Sequence, residues 1–216
     1  MIRNVRVGGV LLGGGEIPVQ SMTTTKTSDV ESSVAQILSL RNAGCNIVRV
    51  AVADEEDARA LRAIRARTDV SIVADVHFSA KLAVLAVENG ADKLRINPGN
   101  IGGDREIAYV ADCVKAHGIP VRVGANTGSI EKEHLARYGR SAEALVGSAL
   151  GNVAVLERHG VGDIVISVKA SDVPLTVEAY TFLRRQCDYP LHLGVTEAGT
   201  KDAGIVKSSV GIGALL

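Results

Sequence analysis

The stretch Lys93-Leu94-Arg95-Ile96-Asn97-Pro98-Gly99-Asn100 decides the fold, because it is a short apolar strand that carries one arginine and ends in a turn. Proline cannot donate to a strand ladder and glycine relaxes the backbone, so the strand ends at this turn. A guanidinium packed against a helix layer would lose much of its solvation, so we expect Arg95 to point into the open mouth that the strand lines. The arginine therefore predicts an anion site.

Six further apolar runs recur along the chain, with amphipathic helical segments between them. They lie at residues 18–22, 46–52, 70–76, 120–125, 163–169 and 190–195. Strands that are apolar on both faces and joined by helices are typical of a parallel sheet covered by helices. No glycine-rich GxGxxG turn follows residues 18–22, which argues against a doubly wound open sheet. We therefore expect an α/β fold, a (β/α)8 TIM barrel with about seven βα strands in this chain.

The connecting segments carry signals for the beginnings and ends of helices. Ser28-Asp29-Val30-Glu31 predicts a capping box, and Gly44 predicts the end of the helix that follows. Asp104 begins a similar helix that Gly118 ends. Comparable patterns cover residues 55–67 and 79–89, and an extra helical insertion covers residues 129–158.

The two ends of the chain depart from this repeat. Val5-Arg6-Val7 and Val10-Leu11-Leu12 predict an N-terminal β-hairpin, and we expect residues 1–19 to plug the bottom of a barrel formed by residues 20–216. Residues 207–216 would lie in helix seven, so the eighth strand is expected to be missing. An open parallel edge is an aggregation liability, so we expect a fragment or a protomer that borrows a strand.

Composition excludes several classes of function. Aromatic residues make up only 3% of the chain and the formal net charge is zero, so neither nucleic acid nor a membrane surface is an expected partner. The three cysteines Cys45, Cys113 and Cys187 are far apart, which is typical of reduced thiols in a cytosolic compartment. No apolar run approaches the roughly 20 residues of a membrane span, so we expect a cytoplasmic protein.

Charged residues cluster at the carboxyl ends of the expected strands, where a TIM barrel carries its active site. The cations are Arg49, Arg95, Arg122 and Lys169. The other polar residues of this rim are Asp75, His77, Asn97, Asn126, Ser171, His192 and Glu197, with Ser129 following Asn126. Four cations against the two acids leave a surplus of two positive charges.

This surplus has two interpretations. The charged side chains could form internal ion pairs that brace the barrel, or they could bind an anion. Buried surplus charge is costly, so a bound dianion or a diphosphate is the natural complement, and arginine forks suit phosphate oxygens. Gly13-Gly14-Gly15 lacks the lysine of a P-loop, and no cysteine or histidine spacing matches a zinc or iron–sulfur site, so no metal site is expected within the chain.

Six stretches closely resemble the N-terminal barrel of the hydroxymethylbutenyl diphosphate synthase family, in order and over nearly the whole chain. They are Val19-Gln20-Ser21-Met22-Thr23, Ile47-Val48-Arg49-Val50, Val73-Ala74-Asp75-Val76-His77-Phe78, Leu94-Arg95-Ile96-Asn97-Pro98-Gly99-Asn100, Val168-Lys169-Ala170-Ser171-Asp172 and Leu191-His192-Leu193-Gly194-Val195-Thr196-Glu197-Ala198-Gly199. The resemblance implies a role in the methylerythritol phosphate route to isoprenoids.

The resemblance implies a reductive ring opening of methylerythritol cyclodiphosphate to hydroxymethylbutenyl diphosphate. Two electrons would come from reduced flavodoxin or ferredoxin through a 4Fe-4S cluster, in a homodimer. The positions that match the diphosphate grip of the family are Arg49, Arg95, Arg122, Asn126 and Lys169. Glu197 matches a catalytic acidic residue, a proton donor or orienter. The resemblance also implies that Asp75, His77 and His192 lie at the mouth.

The chain also departs from the family pattern. Family members continue into an eighth strand and a separate domain, whose three cysteines and one glutamate hold the cluster, and the cysteines of this chain have no counterpart among those ligands. The resemblance thus implies a chain that binds the cyclodiphosphate and cannot reduce it unaided. Two alternatives remain open at this point: a dihydropteroate synthase-like transferase acting on a diphosphate ester, and a non-catalytic truncated module that only binds.

Overall fold

The structure is a computed structural model that describes residues 2–128, 130 and 132–216, so Ser129 lies outside the described residues. A short antiparallel hairpin comes first, formed by β1 (Val5–Val7) and β2 (Val10–Leu12). The strands that follow are β3 (Gln20–Met22), β4 (Ile47–Ala51), β5 (Ser71–Asp75), β6 (Lys93–Ile96), β7 (Val121–Asn126) and β8 (Ile164–Lys169).

Helices connect the strands throughout the described residues. They are α1 (Val30–Asn42), α2 (Glu55–Arg65), α3 (Ala80–Glu88), α4 (Pro98–Ile101), α5 (Asp104–His117), α6 (Lys132–Tyr138), α7 (Ala142–Arg158), α8 (Val173–Arg184) and α9 (Lys201–Gly213). Strands β3 to β8 are hydrogen-bonded in chain order within one sheet, which is the strand order of a TIM barrel. The expected α/β class and the N-terminal hairpin are confirmed.

The seventh expected strand, at residues 190–195, is wrong. The structure has a single isolated bridge there, between Ile166 and Leu191. The His192 N–H donates to the Ile166 carbonyl at 2.8 Å, but the His192 carbonyl accepts the Tyr180 hydroxyl at 2.5 Å. A side chain therefore takes the acceptor that the next bond of a parallel ladder would use, and the pairing stops after one bridge.

The predicted capping box at the start of α1 is also wrong. Asp29, not Ser28, caps the helix, and its carboxylate accepts the Ser32 N–H at 3.1 Å. Glu31 forms a two-point ion pair with Arg67 instead of reaching back to the cap. A charged fork is a stronger partner for a carboxylate than a backbone amide, so a distant arginine decides the outcome.

The bounds of one further helix agree with the sequence prediction, and the bounds of another differ from it. Helix α5 begins at Asp104, and Gly118 ends it with a left-handed φ of 61°, as predicted. The last helix, expected at residues 207–216, instead spans Lys201–Gly213, following Thr200. Within the described residues, no helix is both long and apolar enough to cross a bilayer.

The chain divides into two compact units. The N-terminal unit comprises Asn4–Arg122 and Leu156–Ile164, and the C-terminal unit comprises Val123–Val155 and Val165–Leu216 with the residues up to Arg3. Strands β3 to β6 belong to the N-terminal unit, where their register is explicit. One row of partners across these strands consists of Ala51, Asp75 and Arg95, and the row two residues earlier consists of Met22, Arg49, Val73 and Lys93. Side chains two residues apart on a strand share a face, so both rows lie on one face of the sheet.

The hairpin packs onto the amino-terminal part of this same face. Val7 is completely buried and forms an apolar cluster with Ile47 and Val73. The Ser71 hydroxyl donates to the Val7 carbonyl at 2.9 Å, which satisfies a backbone acceptor in the same region. This end of the N-terminal unit is thus closed by apolar packing and leaves the carboxyl ends of the strands for chemistry.

Candidate functional site at the strand ends

Asp75 is the centre of the charged cluster in the N-terminal unit. It ends β5 and is only 5% exposed. Its carboxylate lies 3.2 Å from Arg95 Nη1, 3.7 Å from Arg49 Nε and 3.3 Å from His77 Nε2. Two guanidinium groups and an imidazole therefore share a single carboxylate, which leaves a local excess of positive charge.

Arg49 is held by a weak acceptor. Its Nε and Nη2 atoms donate to the thioether sulfur of Met22 at 3.0 and 2.9 Å. Burial lowers the pKa of Arg49 below its ordinary value, the charge of Asp75 opposes this effect, and the charge of Arg95 adds to it. A thioether is a poor partner for a guanidinium, so the geometry positions Arg49 without satisfying its charge.

Arg95 is nearly buried, with 12% of its side chain exposed. Its Nη1 atom lies 3.2 Å from Asp75 Oδ1. The same atom lies 3.1 Å from Nε2 and 3.4 Å from Nδ1 of His77. Its Nε atom is buried and has no hydrogen-bond partner among the described residues. A buried donor without a partner costs free energy, and an anion that approached the guanidinium would remove that cost.

Lys93 was missed by the reasoning from sequence, although it opens the strand on which Arg95 lies. It is 1% exposed, and its Nζ atom lies 3.3 Å from the Gln20 side-chain oxygen. Burial and, to a smaller extent, the charges of Arg122 and Arg49 together lower the pKa of Lys93 to about 7. The available signal was the spacing of two residues from Arg95, which puts both side chains on one face of β6.

Two more predicted residues of the N-terminal unit have distinct positions. Arg122 is 3% exposed near the start of β7, and its charge acts on Lys93. Asn97 is 7% exposed and caps the short helix α4, where its side-chain oxygen accepts the Gly99 N–H at 3.1 Å. The structure therefore gives Asn97 a local structural role that its position after β6 did not reveal.

A cavity of about 330 Å³ opens beside Asp75 in the N-terminal unit. Its lining residues come from the ends of β4 and β5 and the beginning of α3, and they are Ala51, Val52, Ala53, Asp75, Val76, His77, Phe78, Ser79 and Leu82. Phe78 is 75% exposed at this position. The lining is mostly apolar with three polar residues, which is the usual composition of a small-molecule pocket.

The remaining predicted residues lie in the C-terminal unit. Lys169 ends β8, and its Nζ atom is so close to Gly194 that a Cβ added there would lie 2.6 Å away. Asn126 ends β7, and its side-chain oxygen accepts the Gly128 N–H at 2.9 Å. The local backbone thus brings Lys169 against a glycine, and a residue with a larger side chain at that position would displace the amine.

Glu197, Ser171 and His192 are also residues of the C-terminal unit. Glu197 and Ser171 are exposed, and His192 is half-buried. Glu197 has a positive φ of 49°, which no other non-glycine residue among those described adopts. A residue with a side chain keeps such a backbone conformation only where the surrounding structure holds it in place, and residues of this kind are often found at functional sites.

The iron–sulfur cluster implied by the family resemblance does not fit the residues of this chain. Among the described residues, no group of three or more histidine, cysteine, aspartate or glutamate side chains could hold a metal ion. Cys45, Cys113 and Cys187 are free thiols at separate positions. Burial raises the pKa of Cys113 and of Cys187, which disfavours the thiolate form that a cluster requires.

A parallel sheet with helices between its strands defines a TIM-barrel domain, and this one carries a cluster of cations towards the carboxyl ends of its strands. Comparison with known families agrees with this class. The chain belongs to the GcpE TIM-barrel domain family, which it matches over residues 2–216.

Named relatives are similar over the whole chain. The 4-hydroxy-3-methylbut-2-en-1-yl diphosphate synthase (flavodoxin) of Caldanaerobacter subterraneus subsp. tengcongensis is 51% identical over 100% of this chain and 61% of its own length. The protein of the same name from Caldicellulosiruptor saccharolyticus is 52% identical over 100% of this chain and 63% of its own length. The chain thus spans about three fifths of the length of these relatives.

Solved structures with low identity share the fold. A truncated 3-deoxy-D-arabino-heptulosonate 7-phosphate synthase from Thermotoga maritima has a TM-score of 0.72 at 15% identity, covering 99% of this chain and 77% of that one. A dihydropteroate synthase from Coxiella burnetii has a TM-score of 0.56 at 14% identity, covering 85% of this chain and 73% of that one. These similarities establish the fold alone, because such barrels host many chemistries.

Proposed function

We propose that this chain is the substrate-binding barrel of a 4-hydroxy-3-methylbut-2-en-1-yl diphosphate synthase and that it binds the diphosphate group of methylerythritol cyclodiphosphate. The complete enzyme would open the ring of this substrate reductively, with loss of water, in isoprenoid biosynthesis. In this proposal residues 1–19 close the bottom of the barrel and residues 20–216 form the binding domain. The names of relatives at 51% and 52% identity support the assignment.

One observation carries the proposal: the cations of the N-terminal unit outnumber the acid that contacts them. Arg49 and Arg95 share the single carboxylate of Asp75, and the amine of Lys93 lies almost completely buried in the same unit. A bound diphosphate would supply the missing negative charge in a region of low dielectric constant, where charge-assisted hydrogen bonds are strong. Such a ligand would replace the thioether contact of Arg49 with phosphate oxygens.

The residues divide by role in this proposal. Arg49, Arg95 and Arg122 bind phosphate oxygens, while Asp75 and His77 orient the guanidinium groups from below the ligand. Lys169, Asn126, Ser171 and His192 of the C-terminal unit provide further contacts to the substrate, and Asn97 holds the turn after β6. Glu197 donates or orients a proton at the departing hydroxyl, which is the role of a general acid.

The electron-transfer parts of the reaction lie outside this chain. We propose that a 4Fe-4S cluster is held by cysteines of a further domain and that reduced flavodoxin or ferredoxin supplies electrons to a cytoplasmic homodimer. The absence of a metal-binding group among the described residues is consistent with cluster ligands that lie elsewhere. The chain's own residues bind, orient and protonate the substrate.

Calorimetric titration with methylerythritol cyclodiphosphate tests the proposal. Arg95→Ala should weaken binding by about 2–5 kcal/mol, or roughly 30-fold or more, because it removes one partner of a buried charge cluster. Arg59→Ala is the matched control, since Arg59 is an exposed arginine that pairs with Glu55 on α2. Equal affinities for the wild type and Arg95→Ala would make Arg95 an internal brace and would overturn the proposal.

A further inference from the structure

Lys93 is a buried amine without an acidic partner. It is 1% exposed, and within the described residues its Nζ atom has one hydrogen-bond partner, the neutral side-chain oxygen of Gln20 at 3.3 Å. No carboxylate of the described residues lies within ion-pair distance of it. A lysine in such surroundings must either remain charged at high cost or give up its proton.

The charged groups that act on Lys93 or lie near it come from strands β4, β5 and β7. Strand β4 contributes Arg49 and β7 contributes Arg122, and both charges disfavour a proton on the amine. Strand β5 contributes Asp75, which lies one row nearer the carboxyl ends and is bound to Arg49 and Arg95. The carboxylate of Asp75 is therefore paired with two arginines, and the net charge of the groups around the Lys93 amine is positive.

A purely structural role explains this arrangement poorly. An apolar side chain of similar length would fill the same space without the cost of burying an amine, and replacing buried charged groups by apolar ones is often neutral or stabilising. The amine therefore has a property that an apolar side chain lacks, which is the ability to take up a proton when the local field changes.

We propose that binding of a diphosphate anion at Arg49 and Arg95 is accompanied by the uptake of one proton on Lys93 Nζ. The inference rests on the proposed function, since it needs the anion to bind at these arginines. In the free protein the amine is neutral and donates a hydrogen bond to the Gln20 side-chain oxygen. With the anion bound, the proton comes from the solvent, the amine becomes an additional cation beneath the ligand, and the proton returns to the solvent when the ligand leaves.

The proposal gives Lys93 the role of a positioning residue. It lies in the row below Asp75 and Arg95, so it acts on the ligand through its charge and through the orientation of the arginines. The free pKa of Lys93, lowered to about 7 by burial and by Arg122 and Arg49, agrees with a neutral amine at pH 8. An anion placed near the arginines raises this pKa again, because it reverses the sign of the local field.

Calorimetry in buffers of different ionisation enthalpy counts the protons taken up on binding. Inorganic pyrophosphate is the probe, and the wild type is compared with Lys93→Met at pH 6 and pH 8. With a free pKa of about 7, we expect the wild type to take up about 0.9 proton more than the variant at pH 8 and only about 0.1 more at pH 6. Protons that pyrophosphate or other groups of the protein exchange are common to both proteins and cancel in the difference.

Three controls separate the possible outcomes. Lys81→Met, which removes an exposed lysine of α3, should show the proton count of the wild type. Pyrophosphate binding that is weakened by Arg95→Ala, with equal proton counts for the wild type and Lys93→Met, would overturn the inference and leave the proposed function standing. Failure of the wild type to bind pyrophosphate or the cyclodiphosphate would overturn both.

A second measurement covers the case in which Lys93→Met does not fold. The 13C resonance of the Lys93 ε-carbon in the wild-type chain reports the protonation of the amine directly as the pH is varied. We expect the midpoint of this titration to move upward by more than two pH units when pyrophosphate is added at saturation, as an uptake of about 0.9 proton at pH 8 requires. A midpoint that stays in place would overturn the inference.

Discussion

The two ends of strands β4, β5 and β6 carry different chemistry on the same face of the sheet. At the amino ends Ile47 and Val73 pack against Val7 of the hairpin, and all three are buried. At the carboxyl ends Asp75 and Arg95 form a charged contact at 3.2 Å. A few residues along a strand thus separate a part that stabilises the fold from a part that binds, which is the usual division of labour in TIM barrels.

Lys93 is the register partner of Val73, and it fits neither description. It is buried as deeply as the apolar cluster, yet it carries an ionisable amine like the residues of the rim. A residue of a strand can therefore be as deeply buried as the apolar core and still carry an ionisable group.

The largest expected effect is on stability at the amino ends. Ile47→Ala should lower the free energy of unfolding by about 2–4 kcal/mol, because it leaves a cavity between the hairpin and the sheet. Urea denaturation measures this change, and pyrophosphate affinity should stay within twofold of the wild type. Ile17→Ala is the matched control, since Ile17 is 64% exposed and the same atoms are removed without a cavity. A large loss of affinity would show that the two ends are not independent.

The next effect concerns Lys93 and the dependence of stability on pH. The pKa of Lys93 in the folded protein is lowered to about 7 from its ordinary 10.5, so between these values the unfolded chain holds a proton that the folded chain lacks. Stability therefore increases as the pH rises through this window, by about 2 kcal/mol between pH 7.5 and 9.5. Denaturation curves for Lys93→Met should lack this rise, and identical curves for the two proteins would contradict the prediction.

A smaller effect is expected at Met22. Met22→Gln replaces the thioether by an amide oxygen, a stronger acceptor that competes with phosphate for Arg49, so pyrophosphate affinity should fall about fivefold. A double-mutant cycle distinguishes an effect through Arg49 from a general structural effect of the substitution. In an Arg49→Ala background the same Met22→Gln change should have almost no effect on affinity. An equal loss in both backgrounds would show that Met22 acts without Arg49.

The smallest effect concerns the C-terminal unit. A Cβ at position 194 would lie 2.6 Å from Lys169 Nζ, the mobile end of a long side chain that can shift at low cost. Gly194→Ala should therefore lower stability by less than about 1 kcal/mol and weaken pyrophosphate binding about twofold to threefold. Gly162→Ala, where a Cβ meets no atom within 4 Å, is the control and should change neither quantity. A loss above tenfold would give Lys169 a larger share in binding.

Local signals in the sequence were sufficient where the structure depends on residues close in the chain. The start of α5 at Asp104 and its end at Gly118 are confirmed, because a left-handed glycine ends a helix without long-range help. The capping box at Ser28 failed because Arg67, far along the chain, takes Glu31. The strand expected at residues 190–195 failed because the Tyr180 hydroxyl takes the His192 carbonyl.

The sequence by itself determined the alternation of strands and helices, the arginines at the strand ends and the family, because these follow from periodicity and from stretches of adjacent residues. Only the tertiary structure decided which partner each buried charge meets. Lys93 and Gln20 are 73 residues apart, and Arg49 and Met22 are 27 residues apart. The protonation of an amine and the strength with which a guanidinium is held depend on burial and on such distant neighbours, and these exist only once the chain has folded.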